Sequence, residues 1–590
     1  MVQKGIQVTD QQESLQARLP IVVALMAVVA SYLIVRLITL QYQPDTVVTY
    51  YNRLASYNYN ENRRVLASRG MVYDRDGHPL ASNTVEYEIG ISPSLVSSAR
   101  DTATKLAPLL GLNELDILRI IQSDQSWVSL VKGIPPEDAE QIRALDILGL
   151  TIDSRPKRLY PQGTLGAPIL GFVAGDDTIL QAYRGFNGVE GYYEDELAGR
   201  VRDETVSKIP FDLPEIRASE DRGADLVLTI DRDIQFVVEA ELQRAVVESG
   251  STGGVIIVMD PRTGEILAMA NYPAYDPNAF YDVEDPALLR NPAISDEYEP
   301  GSIMKVLTMA AALQKGVVVP GDTYVDNGLL QVGGIDIYNS DRLPRGVVDI
   351  SQILVQSLNV GAATLSTEMG PTKFYEMMDA FGIGRATGVD LEGEASGTMF
   401  TPFDADWSES NLATNSFGQG VAVTPLQILT AISAIANDGL MMQPHIVYQV
   451  VDGDKVYPSE PSALGRPISA ETAQIVTDMM VQTVQDGLDQ AQVAGYLVAG
   501  KSGTAQISTP LGYTDPDSIV SFVGFVPADE PRISILVKLD RPDRYWGSLV
   551  AAPVFSRLIE RLVLVMEIPT DEVRRGLTAQ GGDVHAIWNG

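Results

Sequence analysis

The chain has 590 residues, 45% of them hydrophobic, and sets 43 Lys and Arg against 77 Asp and Glu for a formal net charge of −34. A polyanion of this size is repelled by phosphate backbones, which sets general DNA or RNA binding aside, and its length implies three or four structural units. With no cysteine and three histidines (His78, His445 and His585), disulfide frameworks, thiol nucleophiles, cysteine-based lipid anchors and Cys-ligated metal centres are excluded, and a Ser-His-Asp triad is disfavoured because no histidine neighbours a nucleophile-like turn.

The first predicted element is Leu19–Leu40, LPIVVALMAVVASYLIVRLITL, 22 residues interrupted by one charge, Arg36. About 20 apolar residues cross a bilayer core, so this reads as one spanning helix whose Arg36 sits near enough to the end to reach the headgroups. A cleaved signal peptide would have a shorter apolar region and an A-x-A-like site; Ala27 and Ala30 do not fit one. A buried core helix is the alternative. The expected topology is a cytoplasmic tail over 1–18, an anchor over 19–40 in the cell membrane, and a single-pass chain with everything beyond it extracytoplasmic. Lys4 and Arg18 against Asp10 and Glu13 give little positive-inside bias.

Residues 42–64 are polar and rich in Tyr and Asn, and read as a stalk. From there to 222 strand and helix signals mix with Gly/Pro punctuation and carry no catalytic motif, so 41–222 is expected to be one non-catalytic domain. The pattern changes at Gly223. DLVLTI (Asp225–Ile230) reads as a strand, and DIQFVVEAELQRAVVES has helical apolar spacing. GGVIIVMD and EILAMANY flank the turn PRTG, and SIVSFVGFVP and RISILVKL flank ADEP, which predicts two hairpins. Between them the pattern is mainly helical. Strands at both ends with helices between predict a sheet assembled from distant segments over 223–567, with 568–590 a weakly ordered tail.

Without a useful histidine, a serine can be activated by a lysine one helical turn away, because positions i and i+3 share a helix face. Three S-x-x-K matches occur. Ser129–Lys132 lies in a strand-like run, and Ser154–Lys157 contains a proline that opposes the helical turn. Ser302-Ile-Met-Lys305 instead follows EPG and opens a helical run, where backbone N–H groups and the dipole favour developing negative charge. Taken alone, an N-capping serine beside a solvated lysine explains it as well. Two further pieces follow: Ser357-Leu358-Asn359, a pattern that Ser56-Tyr57-Asn58 also matches, and Lys501-Ser502-Gly503-Thr504, the sole K-[ST]-G, which reads as a strand edge. The three in this order form a serine–lysine constellation.

A rival must be set against it. Gly495–Ser502 formally satisfies G-x-x-x-x-G-K-[ST], and Val255–Asp260 resembles the apolar run whose Asp holds magnesium. A P-loop follows a strand and opens a helix, whereas the four residues here are mostly bulky and apolar, and GTAQI does not start one. Gly382, Gly384 and Gly388 miss the dinucleotide spacing by one residue and read as a loop.

These motifs resemble those of class B penicillin-binding proteins, membrane-anchored peptidoglycan D,D-transpeptidases, from the anchor to about residue 567. The likeness is carried by RGMVYDRDGHPLA, RLYPQGTLGAPILGFV and GVEGYYEDELAGR in the first part. In the second it is carried by VMDPRTGEILAMANYPAYDPN, YEPGSIMK, SFGQGVAVTPLQ, SFVGFVP and AAPVF. Ser502 stands where Thr is usual. The resemblance implies an α/β (α+β) fold of the penicillin-binding, serine β-lactamase-like type, an elongated N-terminal pedestal and one transmembrane helix. No glycosyltransferase signature lies in 41–222, so peptide cross-linking alone is implied, for division or elongation. Ser302 is the implied nucleophile, Lys305 its base, and Ser357, Asn359 and Lys501 complete the catalytic set, with Ser502, Gly503 and Thr504 binding substrate. No metal or cofactor is implied. Partners would be stem peptides, β-lactams, a SEDS-family polymerase and other membrane cell-wall proteins. The same motifs serve membrane β-lactamases and β-lactam sensors, and an inactive cell-wall scaffold is a third reading.

Overall fold

The computed structural model describes residues 7–41, 60–65, 68–175, 183–199, 202–207, 222–507, 517–544 and 546–579. The chain separates into two compact units, Met1–Leu66 with Val201–Ala218, and Ala67–Arg200 with Ser219–Gly590. The first contains helix Gln7–Gln41 and a ribbon of Asn60–Val65 antiparallel to Arg202–Ser207. Within that helix Pro20–Thr39 is long and apolar enough to cross a membrane, and none of it is buried by protein. A helix apolar all round and uncovered has the lipid-facing character expected over 19–40. Of the stalk expected over 42–64, residues 42–59 lie outside the described residues.

The second unit is built on two sheets. A seven-stranded sheet runs in the order Lys455–Pro458, Val447–Asp452, Asp225–Leu228, Val72–Tyr73, Pro79–Ile91 and Val128–Ile134, with Leu150–Leu159 also paired to Pro79–Ile91. Its outer strands are covered by helices Ala99–Leu110, Glu114–Ile121 and Pro136–Arg143 through Ile89, Ile91, Leu106, Ile117 and Ile142, all fully buried. Val72–Tyr73 pairs parallel with Asp225–Leu228, which pairs antiparallel with Val447–Asp452. The sheet is therefore continuous across the position where the sequence changes character.

The second sheet is antiparallel, in the order Ile266–Tyr272, Gly253–Met259, Ile533–Asp540, Ser518–Val526, Ala499–Gln506. Both expected hairpins form, and Gly253 sits opposite Asp540. Residues along Gly253–Met259 alternate between two cores: Ile256 and Val258 pack with helices Arg232–Ser249 and Gly547–Val565, while Val255, Ile257 and Met259 pack with helices Met304–Gln314 and Pro425–Ala436. Burial on both faces explains why VIIVM is apolar throughout rather than alternating. This is the expected α/β arrangement, a sheet assembled from distant segments and covered by helices.

The tail differs from expectation. Asp571–Ala579 is a helix, not a weakly ordered segment. Its Asp571 accepts the Leu497 N–H at 2.7 Å, and Arg574, 3% exposed, pairs with Asp571, Asp529 and Glu530. These ion pairs join it to residues distant in the chain, which the sequence around it does not reveal. Residues 580–590 lie outside the described residues.

Candidate active site

The serines of the other two S-x-x-K matches sit in strands. Ser129 lies in Val128–Ile134 and donates to Glu88, and Ser154 lies in Leu150–Leu159 opposite Tyr87, so neither faces a lysine across a helical turn. Gly500-Lys501-Ser502 lies within strand Ala499–Gln506, which excludes the strand-to-helix turn a P-loop requires.

Ser302 is carried by a single 3₁₀ turn, Gly301–Ile303, that leads into helix Met304–Gln314. Gly301 adopts φ +56°, and a Cβ there would lie 2.6 Å from the Thr504 carbonyl oxygen. Gly418, at φ +82°, passes as closely over Gly301. Glycine at 301 lets the turn press against strand Ala499–Gln506, and glycine at 418 lets the neighbouring backbone close over Gly301. Ser302 itself is half-buried, and its hydroxyl has no hydrogen-bond partner among the described residues.

Lys305 and Lys501 are 1% and 2% exposed. Both reach Ser357. Lys305 Nζ donates to the Ser357 carbonyl at 2.6 Å and to its Oγ at 3.1 Å, and Lys501 Nζ donates to the same Oγ at 3.2 Å and to the Ser502 carbonyl at 3.0 Å. Sequence spacing pairs Lys305 with Ser302; the structure makes Ser357 the meeting point. Ser357 is a non-glycine residue at φ +56°, in the turn between helices Gln352–Val355 and Asn359–Met369. Such a conformation costs on the order of 1–3 kcal/mol and marks an over-determined position.

Burial, and next the charge of Lys501, hold the Lys305 ammonium well below its ordinary range. Burial alone pushes Lys501 down to about 7. Neither lysine pairs with a carboxylate among the described residues, so no anion offsets the lowering of their proton affinity.

Asn359 opens its helix, is half-buried, and donates to the Tyr338 carbonyl at 3.0 Å. Ser502 and Thr504 share one face of their strand, Lys501 and Gly503 the other. Thr504 Oγ1 accepts the Gly547 N–H at 3.0 Å, so its proton remains for a ligand. A Cβ on Gly503 would meet Ser521 Oγ at 2.4 Å and the Pro300 carbonyl at 2.9 Å. Sequence reading passed over Tyr338, Ser521 and Gly418. Only Gly418, in SFGQG, carried a local signal, a glycine where the backbone reverses.

The described residues contain one group able to hold a metal, Asp74, Asp76 and His78. Asp74 there already accepts the Asp76 and His78 backbone N–H groups, as a turn-forming aspartate does.

The arrangement is suited to acyl transfer: a hydroxyl on a helix-leading turn, two buried lysines of lowered proton affinity, a bridging serine and an open strand edge. A family described as penicillin binding protein transpeptidase domain matches residues 254–560, and one described as penicillin-binding protein dimerisation domain matches 64–208. The chain is 32% identical to stage V sporulation protein D of Bacillus subtilis, over 86% of this chain and 79% of that one. It is 30% identical to the peptidoglycan D,D-transpeptidase FtsI of Escherichia coli, over 87% and 86%. Among solved structures it resembles penicillin binding protein 3 of Mycobacterium tuberculosis complexed with aztreonam, with a TM-score of 0.65 and 29% identity over 86% of this chain and 98% of that one.

Proposed function

Because the chain belongs to the penicillin-binding protein transpeptidases, and is a serine-type peptidoglycan D,D-transpeptidase of cell-wall synthesis, we propose that Ser302 is its acylated nucleophile and that Lys305, Ser357, Asn359 and Lys501 carry the chemistry with it. The observation that carries this is the Ser357 hydroxyl, within hydrogen-bond reach of two buried lysines that have no carboxylate partner among the described residues.

Ser302 Oγ attacks the carbonyl between the two terminal D-alanines of a donor stem peptide while neutral Lys305 takes its proton. The backbone N–H groups of Ser302 and Thr504, pressed together by Gly301, hold the oxyanion. As the C–N bond breaks, the proton passes from Lys305 through Ser357 to the departing D-alanine amine, and charged Lys501 keeps the Ser357 hydroxyl oriented. Asn359 binds the donor amide, and Ser502 and Thr504 its terminal carboxylate, with Gly503 giving close approach. An acceptor amine then attacks the ester, completes the cross-link and frees Ser302. β-Lactams acylate Ser302 by the same first step.

Incubation of the purified protein with labelled penicillin tests this. A stable adduct is expected, lost in Ser302→Ala and kept in Ser129→Ala and Ser154→Ala. No adduct in the unaltered chain overturns the assignment, and rapid release of hydrolysed drug favours a β-lactamase.

We also propose that 1–18 is cytoplasmic, 19–40 anchors the chain, and the pedestal (41–222) and the transpeptidase domain (223–567) lie outside the cell. The uncovered apolar helix and the dimerisation-domain match support this. The pedestal and anchor would dock a SEDS-type polymerase, so the two are expected to co-purify in mild detergent; separation there counts against the partnership.

A further inference from the structure

The turn bearing Ser357 and Asn359 does not hold itself. Helix Asn359–Met369 begins after Leu358, which has no side-chain oxygen to cap it. The missing acceptor arrives from 21 residues away in the chain: Asn339 Oδ1 accepts the Val360 N–H at 3.1 Å. Its Nδ2 donates to Asp326 Oδ2 at 2.7 Å, and Asp326 Oδ1 accepts the Gly328 N–H at 2.8 Å. Asp326 and Asn339 are 1% and 3% exposed, so neither amide nor carboxylate has water as an alternative partner. The carboxylate accepts only, which obliges Asn339 to present its NH₂ to Asp326 and its oxygen to the helix.

The same segment grips the turn at two further points. Tyr338, next to Asn339, receives the Asn359 side chain. Arg345 donates to Gln356 at 2.7 Å, pairs with Asp341, and gives its backbone N–H to the Asp326 carbonyl at 3.2 Å. Gln356 immediately precedes Ser357, so residues 338–345 bracket the strained turn on both sides.

We propose that Asn339, oriented by Asp326, is a positioning residue that sets Ser357 and Asn359 in register with the two active-site lysines. This deepens the assignment of Ser357 and Asn359 made above and rests on it. The pair acts through geometry: without the cap, the first turn of the helix loosens, and Asn359 and Ser357 move together relative to Lys305 and Lys501. A misplacement of about 1 Å at such a site slows chemistry on the order of a hundredfold.

The test separates penicillin acylation into its non-covalent binding constant and its acylation rate, alongside thermal melting. Asn339→Ala is expected to slow acylation about 10–100-fold, mainly in the rate, at temperatures where the variant remains folded. Asn339→Asp sets two carboxylates against each other and is expected to be as slow. The double variant D326N/N339D restores a donor–acceptor pair of reversed polarity and is expected to recover part of the rate, short of all of it because the Leu343 carbonyl, which Asn339 Nδ2 also meets at 3.3 Å, loses its donor. On an Asn359→Ala background, Asn339→Ala is expected to cost measurably less than it does alone, because the part of its effect carried by Asn359 is then already lost. Asn339→Ala acylating at the unaltered rate, full additivity with Asn359→Ala, or a folded D326N/N339D as slow as either single variant would each overturn the positioning role. Should D326N/N339D fail to fold, the Asn359→Ala cycle decides alone. If Ser357→Ala and Asn359→Ala themselves leave acylation unchanged, it is the catalytic assignment that fails, and the two failures are distinguishable.

Discussion

The two lysines differ in what their burial does for them. Lys305 must be neutral to accept the Ser302 proton, and burial with the neighbouring charge lowers its proton affinity. Lys501 must be charged to orient Ser357, and burial places it near 7. The rate of acylation therefore rises with pH as Lys305 loses its proton and falls again as pH passes about 7 and Lys501 loses its own, the two limbs belonging to the coupled pair. Lys305→Arg, which cannot deprotonate, is expected to lower acylation by at least about a hundredfold at every pH; Lys501→Arg is expected to remove the alkaline limb near 7 while retaining a measurable rate. A penicillin-acylation pH profile of each variant checks both. The identity of Ser302 and both lysines was legible from three short motifs. That Lys305 meets Ser357 was not, since residues 52 apart are brought together by tertiary packing, and a left-handed serine leaves no mark on the sequence. Asn339 and Asp326 were invisible for the same reason, although Leu358 at a helix start was a discoverable hint that a cap must come from elsewhere.

At the level of elements, strand Ala499–Gln506 is both a sheet edge and a wall of the site, and Gly503 is where it touches the nucleophile turn. Gly503→Ala forces a methyl against Ser521 Oγ and the Pro300 carbonyl. Overpacking of this kind costs about 1–3 kcal/mol, and here the strain falls on the Ser302 turn, so a lower melting temperature and acylation slowed at least tenfold are expected together. Both hairpins were readable because PRTG and ADEP interrupt apolar runs. The two-residue strand Val72–Tyr73 was not readable, because two residues cannot show a period. The helix Asp571–Ala579 is held by ion pairs that reach from Arg574 to Asp529, a partner 45 residues away that local sequence does not show.

Across the whole second unit, charge is buried where composition gave no warning. Glu190, fully buried, meets Arg69 at 2.6 Å and Arg158 at 2.7 Å, drawing together three stretches that the sequence analysis singled out separately. Removing the carboxylate's charge leaves buried Arg158 without a carboxylate partner and leaves Arg69 to Glu194 alone, so Glu190→Gln is expected to destabilise the protein by about 3 kcal/mol, read as a fall in chemical-denaturation midpoint, without altering the active-site residues themselves. A net charge of −34 says how much acid the chain carries, and nothing of which acids face inward.

The seven-stranded sheet has a further consequence, for how the protein is made. Asp225–Leu228 pairs on one side with Val72–Tyr73 and on the other with Val447–Asp452. At roughly 5–20 residues per second, the third of these leaves the ribosome on the order of tens of seconds after the first. During that interval the early-made strands present an uncovered hydrogen-bonding edge. A chain halted between residues 228 and 447 keeps that edge permanently, and is set to add to another unfinished copy rather than to wait as a folded fragment.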